Sequence, residues 1–382
     1  MSGAVPWRLL GLFYAFYFGL MGLMMPYWPL YLAHLGLAPA PLSWVLMVAA
    51  ISRLWAPNVW AWWADRRAAH LKSVRYAAVG LAVSSCAWLV AGHLTALLAA
   101  MLVFSFFQNA LLAQFEVVAL RSLGRWHHRY GHVRLYGSLA FVLVSMLCGI
   151  ALAKHMQALP VVVLCFCMGM AGLAYFIPDL AADGGAAQSR TGIRFDRALG
   201  VFLGVNFLNQ AAHGAYYTFY SVYLQEAGYS TGFIGFAWGW AVAAETLLFA
   251  CLPKHLLRWG EYRVLLICLM LSVLRWLMIA YGRDHVAILL AAQTLHAASF
   301  AGFHLAGIAY IHRRFGSTRQ GTGQALFSAT GFGLGGGLGA AWAGQVWGYG
   351  AQLSFSLAAL ISVMAVLLWW RCGGRDLHSQ LS

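Results

Sequence analysis

The chain has 382 residues, of which 62% are hydrophobic, 15% aromatic and 9% charged, with a formal charge of +14. Soluble domains carry about 25% charged residues, and a single core stops growing at about 250–300 residues. This composition excludes a cytosolic enzyme, a secreted disulfide module and a disordered chain, and leaves an integral membrane protein.

A membrane-crossing helix needs about 20 apolar residues. Breaks in hydropathy leave twelve such runs, near 7–33, 42–64, 73–92, 95–120, 134–153, 159–177, 198–224, 231–252, 262–281, 286–311, 321–346 and 351–370. The first is too long for a signal-peptide core and lacks a cleavage site, so it is read as a permanent span. Barrel strands would alternate over segments of about ten residues, and these runs do neither. The expected fold is therefore all-α, with twelve transmembrane helices in two pseudo-symmetric six-helix bundles.

The long polar stretch 178–197, with Asp179, Asp183, Arg190, Arg194 and Arg197, separates an N-terminal bundle (1–177) from a C-terminal one (198–382). Tyr31-Leu32-Ala33-His34-Leu35-Gly36 returns as Tyr223-Leu224-Gln225-Glu226-Ala227-Gly228, which suggests a parallel repeat. All but four of the 24 Lys and Arg fall on the side of the N-terminus, the exceptions being Lys154, Arg283, Arg53 and Arg275. The bias predicts an inner-membrane protein with both termini cytoplasmic. Basic residues come a few at a time between apolar runs, so nucleic acid is not an expected partner.

Ionisable groups inside a membrane are costly and usually functional. Eight of the ten acids lie in loops or near helix ends, which leaves Glu116 in the fourth run and Glu245 in the eighth. Arg53, Arg134, Arg275, His213, His296 and His304 are candidate partners. Burial disfavours a charged carboxyl and a nearby cation favours it. A Glu that moves between those environments can therefore couple protons to a conformational change. Gly331-Phe332-Gly333-Leu334-Gly335-Gly336 fits a dinucleotide-binding pattern, but no strand precedes it and it lies in an apolar helix. It is read instead as small-residue helix packing. Trp55, Trp60, Trp62 and Trp63 read as interfacial anchors, and the seven cysteines as small apolar residues. No metal site or cofactor is expected, and no enzyme constellation is present.

The first helix, from Gly11-Leu12-Phe13-Tyr14 to Met25-Pro26-Tyr27-Trp28-Pro29-Leu30-Tyr31-Leu32, resembles the lactose-permease-like branch of the major facilitator superfamily. Tyr130-Gly131-His132-Val133-Arg134-Leu135-Tyr136-Gly137-Ser138, Ala212-His213-Gly214-Ala215-Tyr216-Tyr217, Val273-Leu274-Arg275-Trp276 and Thr294-Leu295-His296 are most similar to its 3-phenylpropionic acid transporter group. The resemblance covers about 7–370. It implies proton-coupled symport of a small organic solute by alternating access, with an aromatic or phenylpropanoid acid favoured. A nucleoside or sugar symporter and an uncoupled exchanger are the alternatives, and a membrane enzyme or sensor comes last.

Carried over by position, Glu245, Arg275, His296 and Glu116 are expected in proton coupling. Glu116, Arg134 and Phe141 are expected in substrate binding, with Tyr27, Trp28, His213, Tyr216 and Tyr217 as further walls. Asp65 and Arg66 stand in the superfamily's loop 2–3 motif as a cytoplasmic gate, although Ala61 replaces its opening Gly. Ser299, Gln293 and Leu248 replace a Glu, a Lys and a sugar-binding Asn of the permease, which argues against a galactoside. A monomer in the lipid bilayer, with the solute and protons as partners, completes the expectation.

Overall fold

The computed structural model describes residues 7–179 and 195–373, so most of the expected 178–197 loop, and Arg375, lie outside the described residues. The regular elements among the described residues are all helices. In chain order they are α1 (Trp7–His34), α2 (Pro39–Arg66), α3 (His70–Ser85), α4 (Leu94–Leu123), α5 (Tyr130–Ala151) and α6 (Met156–Phe176). They continue as α7 (197–226), α8 (Thr231–Pro253), α9 (Arg258–Tyr281), α10 (Val286–Gly316), α11 (317–347) and α12 (Ala351–Gly373).

Among the described residues nine of these helices are long and apolar enough to cross a membrane. The other three, α3, α7 and α11, are short, broken or glycine-rich. The regular part of α3 has 16 residues, α7 is divided at His213 into segments of 16 and 13, and α11 opens in the polar stretch from Ser317 to Gly323. Together they make the twelve helices that the apolar runs foretold.

The repeated segment ends two helices in the same way. Gly36 follows α1 with φ +82°, and Gly228 follows α7 with φ +84°. Both sit in the left-handed region that closes helix C-termini and favours glycine. Asp196 starts α7 by accepting the Leu199 amide at 3.0 Å, satisfying one of the donors that a helix start leaves open.

Two compact units form. Of the described residues, the first comprises 7–41, 52–179 and 228–239, and the second 42–51, 195–227 and 240–373. In the first, α1 lies along α5 and α6, and α3 along α4 and α6. Gly22 lets α1 approach the Phe141 carbonyl of α5, and the Tyr27 hydroxyl donates to the Ser145 carbonyl. Lipid gives little hydrophobic drive for helix association, so close backbone approach and internal hydrogen bonds hold such helices together.

In the second unit α7 lies against α11 and α12. Leu199, Phe202, Leu265, Phe303, Phe327 and Trp369 form its apolar centre. Gly331, Gly335 and Gly339 of α11 abut the Asn206 side chain, the Phe207 carbonyl and the Ala211 carbonyl of α7, and Gly214 abuts the Gly339 backbone. The glycine run is thus a packing stripe. Two wide π turns interrupt these helices, at Ala297–Gly302 in α10 and Ala329–Gly335 in α11. Asn209 of α7 donates to the Ser299 carbonyl in the first at 3.3 Å, and Asn206 to the Phe327 carbonyl just before the second at 2.7 Å and to the Thr330 hydroxyl within it at 3.2 Å.

Candidate functional site

In the second unit α8 and α10 bring Glu245 and His296 together. The carboxylate Oε1 lies 3.0 Å from the His296 Nε2, with side chains only 14% and 4% exposed. The pairing expected from sequence is therefore a direct contact, and one proton can sit on either partner or be shared.

Arg275 of α9 is fully buried and turns elsewhere. It donates to the Ala292 carbonyl at 3.1 Å, the Ser299 hydroxyl at 3.2 Å and the Gln293 amide oxygen at 3.3 Å. Its guanidinium also lies 4.1 Å from the Tyr216 ring centre and 4.4 Å from that of Trp276. Cation–π contacts of this kind strengthen when desolvated. Ser299 and Gln293, two positions that depart from the permease pattern, are thus both partners of one arginine. Gln293 further donates to the Tyr216 hydroxyl at 3.0 Å.

His213 occupies the break in α7, its Nδ1 2.7 Å from the Asn209 carbonyl. That contact fixes Nδ1 as the protonated nitrogen. Its ring lies 6.0 Å from His296 and 5.8 Å from Tyr217, and Tyr216 lies 5.2 Å from His296. His213, Tyr216, Tyr217, Arg275 and His296 therefore form one contiguous cluster with Glu245. Leu248, by contrast, packs against the apolar centre of this unit.

In the first unit Glu116 of α4 accepts from the Tyr130 hydroxyl at 3.2 Å, and the Tyr14 hydroxyl donates to that of Tyr130 at 3.3 Å. Arg134 of α5 places its guanidinium 3.8 Å from the Phe18 ring centre and 5.7 Å from that of Tyr14. Phe18, Tyr14 and Tyr130 were absent from the residues expected at this site. An aromatic in an apolar helix carries no signal of its own, and Tyr130 stands at a helix start where a hydroxyl reads as interfacial.

Phe141, expected to offer its ring beside Arg134, is buried with its backbone against Gly22. Tyr27 and Trp28 are fully buried. Tyr27 binds the α5 backbone, while Trp28 packs against Trp88 at 4.1 Å and Tyr31 at 5.2 Å. These contacts place Tyr27 and Trp28 in helix packing.

At the end of α2, Asp65 lies 3.5 Å from the His70 Nε2, and the His70 Nδ1 contacts the Gln114 Oε1 at 3.2 Å. Asp65, His70 and Gln114 thus tie together α2, α3 and α4. Arg66 lies over the Trp62 ring, 4.4 Å from its centre. Trp60 packs on Phe106 and Phe107 of α4. Metal-ligand clusters of three or more His, Cys, Asp or Glu are absent among the described residues.

Buried ionisable clusters in a chain with nine membrane-length apolar helices among the described residues, together with the family and relatives that follow, make this protein a membrane transporter of small-molecule solutes. The chain belongs to the MFS_1 like family, whose model matches residues 7–357. It is 28% identical over 367 residues to the "Probable 3-phenylpropionic acid transporter" of Escherichia coli (strain K12), covering 94% of this chain and 96% of that one. It is 26% identical to the maltose permease of Geobacillus stearothermophilus, covering 94% and 93%. A mutant of the nucleoside transporter NupG superposes with a TM-score of 0.88 at 16% identity, over 96% of this chain and 99% of that one. The fold is thus that of the major facilitator transporters.

Proposed function

We propose that this protein is a proton-coupled symporter of a small amphipathic monocarboxylate, an aromatic or phenylpropanoid acid, working by alternating access. The observation that carries the reading is the Arg134 guanidinium 3.8 Å from the Phe18 ring centre while Glu116 is engaged by Tyr130. A guanidinium offers a planar fork of donors that matches a carboxylate. An aromatic ring beside it suits an aromatic solute. The relative described as a 3-phenylpropionic acid transporter supports the same solute class. Leu248, packed against an apolar centre where the permease has a sugar-binding Asn, argues against a hydroxyl-rich ligand, which needs several directed hydrogen bonds.

Glu245 is the proton carrier in this proposal, with His296 as its tuning partner and Arg275 as the fixed charge nearby; Glu116 is the second candidate. His213, Tyr216 and Tyr217 complete the cluster around His296. The halves 1–177 and 198–382 act as the two moving bundles. A monomer in a bacterial inner membrane with both termini cytoplasmic fits the distribution of Lys and Arg.

Uptake in proteoliposomes under an imposed pH gradient, screened across aromatic acids, sugars and nucleosides, tests the reading. Wild-type protein should concentrate an aromatic acid. Arg134→Lys keeps the charge and loses the fork, so binding should weaken by about 1.5–3 kcal/mol, the worth of a charged hydrogen bond. Uptake of a nucleoside or sugar without any response to aromatic acids would overturn the solute assignment.

Asp65 and Arg66 serve as the cytoplasmic gate in the same reading. Exposed ion pairs contribute about 0–1 kcal/mol, enough to shift a balanced two-state equilibrium several-fold. Asp65→Asn removes the charge facing His70 and should change the maximal transport rate more than the apparent affinity. Weakened binding at an unchanged maximal rate contradicts the gate.

A further inference from the structure

We propose that the cavity at the start of α5 is a binding site for one anionic phospholipid. The cavity, about 690 Å³ in volume, lies where the N-terminal end of α1, the C-terminal end of α4 and the first turns of α5 meet. That volume is in the range of sites that take small organic ligands, about 300–1,000 Å³.

Its two cations gather at one end. Arg129 and His132 stand at the start of α5 with Val133 and Leu135 beside them, Tyr136 comes two turns in, and Leu139 lies beyond it. At about 1.5 Å rise per residue, Arg129 and Leu139 stand about 15 Å apart along the helix. A phospholipid lying along α5 places its phosphate at the cationic end, with glycerol ester and then acyl chain beyond. Trp7 and Trp126 flank the charged end, where amphipathic rings favour the headgroup level of a bilayer.

Charge selects the lipid. Among the described residues that line the cavity none is acidic, whereas Arg129 and His132 are basic. Arg129 lies over Trp126, 4.8 Å from its ring centre, and Arg8 lies 5.3 Å from the Trp7 ring centre. Basic pockets between helices at a membrane surface bind anionic headgroups through charge-assisted hydrogen bonds. A zwitterionic lipid offers the same phosphate with a cation attached, which these arginines repel. Nothing in this assignment depends on the transported solute or on proton coupling.

Native mass spectrometry of the full chain released from phosphatidylcholine nanodiscs carrying a titrated fraction of phosphatidylglycerol decides the matter. Wild-type protein should retain one phosphatidylglycerol in preference to phosphatidylcholine. In the double variant Arg129→Gln/His132→Gln that preference should fall about tenfold, as expected for loss of charged contacts. Leu139→Trp fills the acyl end without altering charge and should lower retention of both lipids. Lys154→Gln, at the other end of α5, should behave as wild type. Equal retention of the two lipids by wild-type protein overturns the proposal even if a variant fails to fold. An unchanged preference in a folded double variant overturns it too.

Discussion

Glu245→Gln should abolish uphill accumulation of solute while leaving exchange down a concentration gradient. The amide is nearly isosteric with the carboxyl and can still contact His296, whose Nε2 lies 3.0 Å from the native Oε1. What it cannot do is gain and lose a proton. Coupling therefore fails at one chemical step, and the conformational cycle of the loaded protein survives. Proteoliposomes preloaded with solute separate the two activities, because counterflow needs no proton movement. His296→Gln should keep accumulation but change its pH profile, as expected of a partner that alters the carboxyl's surroundings. A Glu245→Gln protein that still concentrates solute moves the carrier role to Glu116, the other carboxyl in an apolar run.

Gly214→Ala should produce the largest loss of stability. A methyl group at this position falls on the Gly339 backbone of α11. Main chain cannot rotate away as a side chain can, so α7 and α11 must part along the stripe formed with Gly335 and Gly331. Overpacking of this kind costs about 1–3 kcal/mol and occasionally more. Thermal unfolding of detergent-purified protein measures it. Gly200→Ala in the same helix provides the control, since a methyl group there meets nothing within 4 Å. Helix propensity alone makes that change neutral or stabilising by about 0.5–1 kcal/mol. If Gly214→Ala unfolds at the wild-type temperature, the stripe is not what joins these helices.

The twelve helices were legible because the bilayer imposes a length and forbids unpaired backbone, two constraints that act on every span alike. The break at His213 was not, since Ala212-His213-Gly214 carries no proline and sits in an unbroken apolar run. Glu245 and His296 were linked through the family resemblance, since from the residues alone His296 was one of six candidate partners for two carboxyls. The partners of Arg275 could not be foreseen. Ser299 from the wide turn at 297–302, and Gln293 and the Ala292 carbonyl from the regular helix before it, are ordinary groups until they converge on one guanidinium. Phe18 was hidden for the opposite reason, as one aromatic among many in α1. His70 was overlooked because a histidine just past a basic loop reads as solvated. Its contact with Gln114 depends on how α3 meets α4, which no local pattern records.

The wide turn in α10 sets the angular register of that helix. An ordinary α-helix advances about 100° per residue, so each face along its length is fixed by counting from any one position. A π turn accommodates one extra residue and rotates everything beyond it by about that angle. Gln293 and His296 lie before the turn at Ala297–Gly302, and Phe303 and Ala306 lie after it. One helix can thus direct polar groups toward Arg275 and Glu245 on one stretch and apolar groups toward Phe202 and Leu265 on the next. Removing a single residue from 297–302 would straighten α10 and turn one of those faces away, although no charged or aromatic group need be touched. The chemistry of this unit therefore depends on a residue count as much as on residue identity.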